Sequence, residues 1–473
     1  MSSSKPPLAE NATRDLARFA SSLCYEDLPK EVVHRIKLCV LDAIGCALYG
    51  ATLPWTRKVA DLALAEGARG SASLAGMGRK ASVSLAALVN GTAGHAFELD
   101  DIHKESIIHM GSLAAPVAFA FAEQRGAGAR DVITAMTAGY EIGARVGNAA
   151  TMSLFFRGFH PQGTSGVFAA TGTAARMLAL DADRFQHALG IAGSQAGGLM
   201  AAQEGAMVKR FHSGRAAQSG VYAASLAAAD FTGIPDVLEA AYGGYLTCYS
   251  NEPNPARLAA GLGTVWETTN VGFKPHASVT SIHTALDGLG EIMRENKLSA
   301  EDVEHVYVGL SRMTHVHCAW EYRAQGVTAA QMNLYYGLAV IALDSMAFTE
   351  QYREGRLKDP QILDFIKHID AYVDPEIEKM GAPFRHAARI KVRARGGREI
   401  EKLLLHRRGS PEHPLDPDEI EYKFRHVVAP CVSKSTADRI VQLVGSLEQL
   451  QDLSELIGLI AAPVKTSEGV SAA

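Results

Sequence analysis

Helical periodicity built from small residues constrains the fold of this chain more than any other feature. From about residue 12 to 270, apolar side chains recur every three or four positions, with alanine and glycine on several faces of the same segments. Small side chains let helices approach closely, so the pattern predicts a packed bundle with buried central helices. The predicted helices are a long segment after Pro29 and residues 80–97, 112–126, 130–149, 163–179, 183–199 and 214–231.

The pattern changes near Gly272. The run VEHVYVGLS at 303–311 alternates with the period of a strand, and two β-like runs flank Gly396-Gly397, a strong hairpin signal. Helical segments are predicted between these strands, and helical periodicity returns after Pro417. The helices expected between the strands cover residues 278–296, 328–347 and 359–369.

The predicted fold class is mainly α. A large helical-bundle domain is built from N- and C-terminal segments, and a smaller α+β lid domain is inserted into it. Pockets tend to form between two such bodies. The predicted boundaries are a disordered tail at 1–10, the first part of the helical domain at 11–270, the α+β lid at 271–412, the C-terminal part of the helical domain at 413–462 and a disordered tail at 463–473.

Composition narrows the class of partner. The formal net charge of −5 lacks the basic excess of a nucleic-acid binder, so no nucleic acid is expected. The 6 cysteines are scattered without a CxxC pair and are interpreted as reduced core thiols. No apolar run reaches the roughly 20 residues of a membrane span, and the start has no signal-peptide core. We therefore expect a cytoplasmic protein without a membrane partner.

The segment ELDDIHKESIIHMGS, residues 98–112, is the main candidate for chemistry. Carboxylates cost several kcal/mol to bury unless they are paired, so this acidic and histidine-rich run beside an apolar helix indicates a functional site. Three other readings stay open. A diphosphate-binding aspartate motif lacks its second acidic cluster. Zinc binding through His103 and His109, or through His315 and His317, lacks the usual ligand spacing. The cluster can also serve as a helix cap.

Histidines and lysines recur at predicted helix starts. His109 precedes the helix that begins at Gly111-Ser112, and the run Lys209–Arg215 stands at the start of another. Free N–H groups and a partial positive charge at a helix start favour an anion, so a carboxylate site is predicted. Without a Walker A loop or a GxSxG motif, the remaining chemistry is proton transfer on a small anionic substrate, with no metal and no organic cofactor.

Six blocks of sequence together resemble the MmgE/PrpD family, which includes 2-methylcitrate dehydratase, cis-aconitate decarboxylase and iminodisuccinate epimerase. The resemblance runs in order from about residue 12 to 450. The blocks are ARFASSLCYEDLPKEVVHRIKLCVLDAIGCAL, ELDDIHKESIIHMGS, FRGFHPQGTSGVFAATGTAARMLALD, KRFHSGRAAQSG, VGFKPHAS with IHTALD, and AQMNLYYGLAVIALD.

The resemblance implies a helical domain with a smaller α+β lid, a homodimer, and catalysis without metal or organic cofactor. Some positions depart from the family pattern: Glu98 replaces an aspartate, Leu99 an aromatic residue, Ile102 a threonine and Met110 a proline. A lost threonine hydroxyl changes specificity more than reaction type. The family sites point to Glu98, Asp100, Asp101, His103, His109, His160, Lys209 and His283 in this sequence.

The hypothesis is proton exchange between His109 and His283, one from each domain, with Asp101 orienting a histidine. Lys209 and Arg215 are expected to anchor carboxylates. The full predicted site is catalytic His109, Lys209, His283, Asp101 and His103, and substrate-binding Glu98, Asp100, His160, His212, Arg215 and Lys274.

The predicted function is a lyase acting next to a carboxylate of a small polycarboxylate, with a hydro-lyase like 2-methylcitrate dehydratase placed first. An epimerase or isomerase of an amino- or imino-dicarboxylate is the second reading, a cis-aconitate-type decarboxylase is a further alternative, and a non-enzymatic helical scaffold is the remote one.

Overall fold

The computed structural model describes residues 9–67 and 70–465, and helices rich in alanine and glycine build its core. The helices of the first part are α1 Ala12–Ser22, α2 Lys30–Gly50, α3 Pro54–Ala65, α4 Val83–Gly94, α5 Gly111–Arg125, α6 Ala129–Phe156, α7 Pro161–Thr164, α8 Gly166–Met177, α9 Ala182–Gly193, α10 Val208–Ala228 and α11 Tyr245–Tyr249. The short strands of this part are β1 Ala72–Leu74, β2 Arg79–Ala81 and β3 Ile102–His103.

Helix α10 lies at the centre of the bundle, where it packs against α4, α5, α8 and α9. Two of its glycines permit this approach. A Cβ added at Gly214 would lie 2.2 Å from the Leu88 carbonyl oxygen, and one at Gly220 would lie 2.6 Å from the Ala170 carbonyl carbon. Any larger side chain would separate the helices. The prediction of a mainly α protein with closely packed helices is confirmed.

Residues 229–270 differ from the sequence prediction of continuous helical structure up to 270. They form turns, the short helix α11 and two single 3₁₀ turns, Pro255–Arg257 and Glu267–Asn270. The cause is local, because prolines and glycines interrupt the segment and Gly243, Gly261 and Gly263 adopt positive φ.

The later part of the chain contains a four-stranded sheet made of β5 Val303–Leu310, β6 Ile369–Val373, β7 Ala388–Ala394 and β8 Glu399–Leu404, with strand order β6-β5-β7-β8. Its central pair β5–β7 is antiparallel, β6 joins β5 in parallel, and β8 joins β7 across the predicted hairpin, whose two glycines have φ of 86° and 81°. The elements are β4 Val271–Gly272, α12 Thr280–Asn296, β5 Val303–Leu310, α13 Arg312–Cys318, α14 Val327–Met332, α15 Leu334–Asp344, α16 Glu354–Leu357, α17 Pro360–Ile366, β6 Ile369–Val373, α18 Pro375–Lys379, β7 Ala388–Ala394 and β8 Glu399–Leu404.

Two helices predicted in this part are shorter than expected. The helix predicted over 328–347 is divided at Asn333, which is extended and caps α15 by accepting a hydrogen bond from the Tyr336 N–H at 3.0 Å. The helix predicted over 359–369 ends at Ile366, because the chain turns into strand β6.

The last helices return to the first ones. They are α19 Pro417–Val428, α20 Lys434–Gly445 and α21 Ser454–Ala461, and α19 packs on α2. Lys423 of α19 reaches Asp42 of α2 at 2.5 Å, and both side chains are buried. The ordered chain extends past the predicted tail boundary at 463, because Val464 is buried and bonds Gly76 through its N–H. Residues 1–8 and 466–473 of the predicted tails lie outside the described residues.

Within residues 9–67 and 70–465, no single helix combines the length and apolar character needed to cross a membrane. The pair α2 and α3 meets the criterion only when taken together, across a bend of 86°.

The acidic segment joins the two parts of the chain. Strand β3 pairs with β4 through Ile102 and Gly272, and the Gln331 amide donates to the carbonyls of Phe97 and Ala277, both at 2.9 Å. The Gln331 Oε1 also accepts from Arg210 Nη2 of α10 at 2.9 Å, so the segment after α4, the start of α10 and the beginning of the α+β part are held together.

Candidate active site

A cleft with about 630 Å³ of open space lies where the acidic segment, α10 and the α+β part meet. Its polar lining combines carboxylate, imidazole, ammonium and guanidinium groups drawn from distant parts of the sequence. Five of the predicted residues line it, namely Glu98, His109, His160, Lys209 and Lys274.

Glu98 holds three cations together beside the cleft. Its carboxylate accepts from Lys209, from Arg210 Nη1 at 2.5 Å and from Lys274 Nζ at 3.0 Å, and all four side chains are buried. Glu98 has a φ of 56°, a strained conformation for a non-glycine residue that is concentrated at functional sites. The sequence predicted that the start of α10 binds a carboxylate, and in the structure the carboxylate bound there is that of Glu98.

Charge balance fixes the protonation of this cluster. Burial raises the pKa of Glu98, but Lys209, Lys274 and Arg210 outweigh it and hold the pKa well below its ordinary value. Burial lowers the pKa of Lys209 to about 8, against the opposing effect of Glu98. An ionised Glu98 repels a substrate carboxylate, so its part is to hold cations in place, and the cluster keeps a net positive charge.

Asp100 bridges two histidines. Its Oδ2 lies 2.8 Å from His95 Nδ1, and its Oδ1 lies 3.2 Å from His109 Nδ1. Burial raises the pKa of Asp100, but His109 and His95 hold it well below its ordinary value. Burial lowers the pKa of His95 to about 4, so this ring is neutral at pH 7. Because Nδ1 of His109 faces Asp100, its Nε2 is the nitrogen left for proton exchange in the cleft.

The backbone of His109 is also held. The Gln162 side chain accepts from the His109 N–H at 2.8 Å and donates to the His109 carbonyl at 3.1 Å. The same amide contacts the hydroxyls of Ser112 and Ser213. This network connects α5, α7 and α10 behind the imidazole and keeps it in one place.

Asp101 does not orient a histidine as the sequence analysis expected. Its Oδ1 accepts from the Gly111 N–H and its Oδ2 from the Tyr140 hydroxyl, both at 2.8 Å. Burial and the neighbouring Asp42 raise the pKa of Asp101 to about 7. The anion predicted at the start of α5 is thus Asp101 itself, and the histidine-orienting carboxylate is its neighbour Asp100.

His160 and His212 form a second imidazole pair. Their Nδ1 atoms lie 2.9 Å apart, so one ring donates and the other accepts. Burial and Lys209 lower the pKa of both histidines, that of His212 to about 4. His160 lines the cleft, so a neutral imidazole with its Nε2 available stands beside Lys209.

Two further residues of the predicted site, His103 and Arg215, do not line the cleft. His103 is engaged at both ring nitrogens, by Ser106 at 2.9 Å and Glu267 at 3.1 Å. Arg215 is exposed and bonds Gln218 at 2.6 Å, so it is not placed to anchor a substrate in the cleft.

His283 is fully buried next to the cleft. Its Nε2 lies 3.1 Å from the Ser278 carbonyl oxygen, and burial, followed by His276, lowers its pKa well below the ordinary value. Val279, Thr280 and Ser281 form the cleft wall on this side. The expected proton exchange between His109 and His283 is not supported by this arrangement, because the helix turn that carries His283 directs it into the interior.

Sequence reasoning missed part of the cleft. Lys104, Arg385, His386 and Arg407 also line it, and so does His317, which the sequence analysis considered only as a zinc ligand. They come from α13, from the loop after β3 and from loops that flank β7 and β8. The acidic motif contained one available signal, since His95 stands five residues before Asp100. The loop cations follow no motif and become neighbours only through the fold.

His95, Asp100 and His109 also form a group that could hold a metal ion, because one ligand atom from each lies within 4.8 Å of the others. All three side chains are buried. Direct contacts between Asp100 and both rings already account for the arrangement, so the absence of a metal stays a prediction to be tested.

Comparison with known proteins identifies the chain. The MmgE/PrpD N-terminal domain model matches residues 14–257, and the MmgE/PrpD C-terminal domain model matches residues 276–449. The chain is similar to a cis-aconitate decarboxylase of Aspergillus terreus, with 31% identity over 96% of each chain. It is similar to a cis-aconitate decarboxylase-like protein of Aspergillus oryzae, with 32% identity over 95% of this chain and 97% of the relative.

A human cis-aconitate decarboxylase is more distant, with 23% identity over 96% of both chains. The family models match both major parts of the chain, and the fungal relatives extend over almost all of it. The protein therefore belongs to the MmgE/PrpD family.

Proposed function

We propose that this protein is a lyase that removes CO₂ from cis-aconitate or a closely similar unsaturated tricarboxylate by acid–base chemistry. The observation that carries the choice of reaction is the similarity, over almost the whole chain, to cis-aconitate decarboxylases. It favours the decarboxylase alternative over the hydro-lyase that the sequence analysis placed first. A cleft with excess positive charge supports a polycarboxylate as the substrate.

The reaction has simple electronic requirements. The bond between CO₂ and the methylene carbon breaks, and its electron pair forms a new double bond to the central carbon. The electrons of the old double bond move to the carbon that carries another carboxylate, and this carbon takes up one proton. A trianion and a proton thus give a dianion and CO₂, so the site must stabilise negative charge on a carboxylate and deliver a proton to carbon.

His109 is proposed as the proton donor. Asp100 lies 3.2 Å from its Nδ1 and orients the ring, which leaves Nε2 to deliver a proton to the substrate. His160 is the second imidazole of the cleft that can exchange a proton, and His212 fixes its orientation at 2.9 Å. General acid catalysis of this kind contributes about 10²–10⁴-fold to a rate.

Lys209 and Lys274 are proposed to stabilise the carboxylate on which charge develops. They are held in advance by Glu98 and need no reorganisation when the charge forms, which is the condition for effective electrostatic stabilisation. Because Arg210 also contacts Glu98, the three cations exceed the single negative charge by two.

Apolar side chains line another part of the cleft and favour release of a neutral product. Loss of hydration in an apolar environment destabilises a charged carboxylate but not the neutral CO₂ molecule. Apolar surroundings therefore promote the departure of CO₂. The apolar residues of this lining are Ile102, Ile107, Phe155, Met200, Met313 and Met332.

Proton NMR in D₂O tests the proposal. Incubation of the protein with cis-aconitate should give a methylidene dicarboxylate whose vinylidene protons remain and whose saturated methylene carries one deuterium. Dehydratase activity would instead convert a hydroxylated tricarboxylate into an alkene. Epimerase activity would exchange an α-hydrogen for deuterium without loss of CO₂.

A matched pair of variants controls the assay. His109→Asn should reduce the signal, while His305→Asn, which changes a histidine paired with Asp370 on the sheet, should not. Absence of the deuterated product with wild-type protein, across a screen of unsaturated tricarboxylates, would refute the proposed reaction. Homodimer formation and cytoplasmic location stay predictions from the sequence.

A further inference from the structure

A second set of cations lines the cleft without a balancing carboxylate. Arg407 is 2% exposed, and in the part of the chain that the structure describes its Nε and Nη1 atoms have no hydrogen-bond partner. Arg385 is 8% exposed, and its guanidinium donates to backbone carbonyls, to Lys104 at 2.7 Å and to Ala382 at 3.3 Å, leaving Nε free.

The carboxylates that act on Arg407 are already engaged by other groups. Glu412 pairs with Lys104 at 2.8 Å, and Asp287 pairs with His276 at 3.0 Å. Burial lowers the pKa of Arg407 to about 10, so the group remains charged at neutral pH. A buried charge without a hydrogen-bonded partner is costly, which indicates that this guanidinium is retained for an anionic ligand.

We propose that Arg407 and Arg385 form a distal carboxylate subsite, which holds a carboxylate that is not lost and makes the cleft selective for tricarboxylates. The inference rests on the proposed function and extends it. Lys209 and Lys274 share their charge with Glu98, whereas the two guanidinium groups have open donors. A guanidinium can bind a carboxylate through two parallel hydrogen bonds, which fixes its orientation.

This arrangement assigns a distinct task to each end of the cleft. The distal subsite would hold one carboxylate rigidly, and the substrate's remaining length would place the reacting carbons near His109. A dicarboxylate has one carboxylate fewer, so it could not occupy the distal subsite and fill both of the remaining carboxylate positions at once. Selectivity would then come from guanidinium groups on loops of the α+β part, outside the sequence motifs that carry the family resemblance.

Calorimetric titration with propane-1,2,3-tricarboxylate tests the subsite, because this saturated compound cannot undergo the proposed decarboxylation. Pentanedioate, which has the same outer carboxylates, is the comparison ligand. Arg407→Met should weaken tricarboxylate binding roughly 10- to 100-fold, and Arg385→Gln should weaken it less. Arg407→Lys should recover part of the affinity. Arg408→Gln, an exposed neighbour paired with Glu419, should bind as the wild type does.

Thermal unfolding without ligand gives an independent readout. Loss of an unpaired buried charge should leave the melting temperature of Arg407→Met unchanged or raise it. Wild-type affinity in Arg407→Met, an equal loss in Arg408→Gln, or failure of Arg407→Met to fold would each overturn the proposal, the last because it would make the guanidinium a structural group.

The two proposals fail separately. If wild-type protein leaves cis-aconitate unchanged but Arg407 controls binding of the inert tricarboxylate, the reaction is wrong and the subsite stands. If wild-type protein decarboxylates cis-aconitate and Arg407→Met binds and turns over normally, the subsite is wrong and the reaction stands.

Discussion

Replacing Glu98 with glutamine should destabilise the protein, because one buried carboxylate holds Lys209, Arg210 and Lys274 together. Glutamine keeps the size of the side chain and can still accept a hydrogen bond, but it supplies no charge. The three cations would then face one another in a buried site. Removing one partner from a buried ion pair costs about 3–5 kcal/mol.

The protonation of Lys209 decides which part of that range applies to the loss in the free energy of unfolding. With a pKa of about 8, its deprotonation at pH 7 costs about 1.4 kcal/mol, so the variant can relieve repulsion by releasing this proton. We therefore expect a loss near the lower limit, about 3 kcal/mol at pH 7. The loss should shrink at pH 9, where Lys209 is already mostly neutral in the wild type.

Glu98 adds a second pH signature. The pKa of Glu98 is lower in the folded than in the unfolded state. Its contribution to the free energy of unfolding is therefore present above the unfolded pKa and disappears as the pH falls through the lower folded value. Wild type and Glu98→Gln should therefore differ at pH 7 and converge in acid below about pH 4.5, the ordinary value for this group.

Urea unfolding at pH 3, 7 and 9 measures these differences. The double variant Glu98→Gln/Lys274→Met should recover part of the lost stability, because it removes one of the unbalanced cations. Glu105→Gln is the matched control, since this exposed carboxylate pairs with Arg257 on the surface and should cost less than about 1 kcal/mol. A Glu98→Gln variant as stable as wild type at pH 7, or a loss independent of pH, would refute the charge-holding role.

Three further outcomes are expected. His109→Asn should lower turnover of cis-aconitate by about 10²–10⁴-fold with an unchanged melting temperature, and equal turnover in this variant and His305→Asn would rule out its acid–base role. The ratio kcat/KM should fall above about pH 8 as Lys209 loses its proton. In Glu98→Gln this fall should begin at a lower pH, because Glu98 raises the pKa of Lys209 in the wild type. A fall at the same pH in both proteins would contradict that coupling. Dialysis against a chelator should leave turnover unchanged, because both Asp100 oxygens contact imidazoles directly, and metal analysis showing stoichiometric zinc with lost activity would contradict this.

Some of the site could be predicted from the sequence because its signals are local. The run from Glu98 to His109 is dense in ionisable groups beside an apolar helix, and Lys209 stands at a helix start. Burial forces such groups to find partners, so their proximity in one cleft follows from physical chemistry. The particular pairing does not follow, since Asp100 and Asp101 are adjacent in sequence and yet contact entirely different partners.

His283 and Arg215 illustrate the limit of reasoning from position on a helix. Each belongs to or follows a basic or histidine-containing run that predicted a substrate contact, but a rotation of part of a turn about the helix axis decides which way a side chain faces. Arg215 faces outward on α10, while His283 faces into the interior from α12. The phase of a helix is set by the neighbours it packs against, and the sequence pattern left both directions open.

By itself the sequence determined the helical bundle, the Gly396-Gly397 hairpin, the family and the chemical nature of the site, because periodicity, turn residues and ionisable motifs are local properties. Only the tertiary structure decided that Glu98 gathers its cations, that Asp100 holds His109, and that Arg385 and Arg407 reach the same cleft. Those contacts join residues far apart in the chain, and their energies depend on burial and direction, which exist only after the chain has folded.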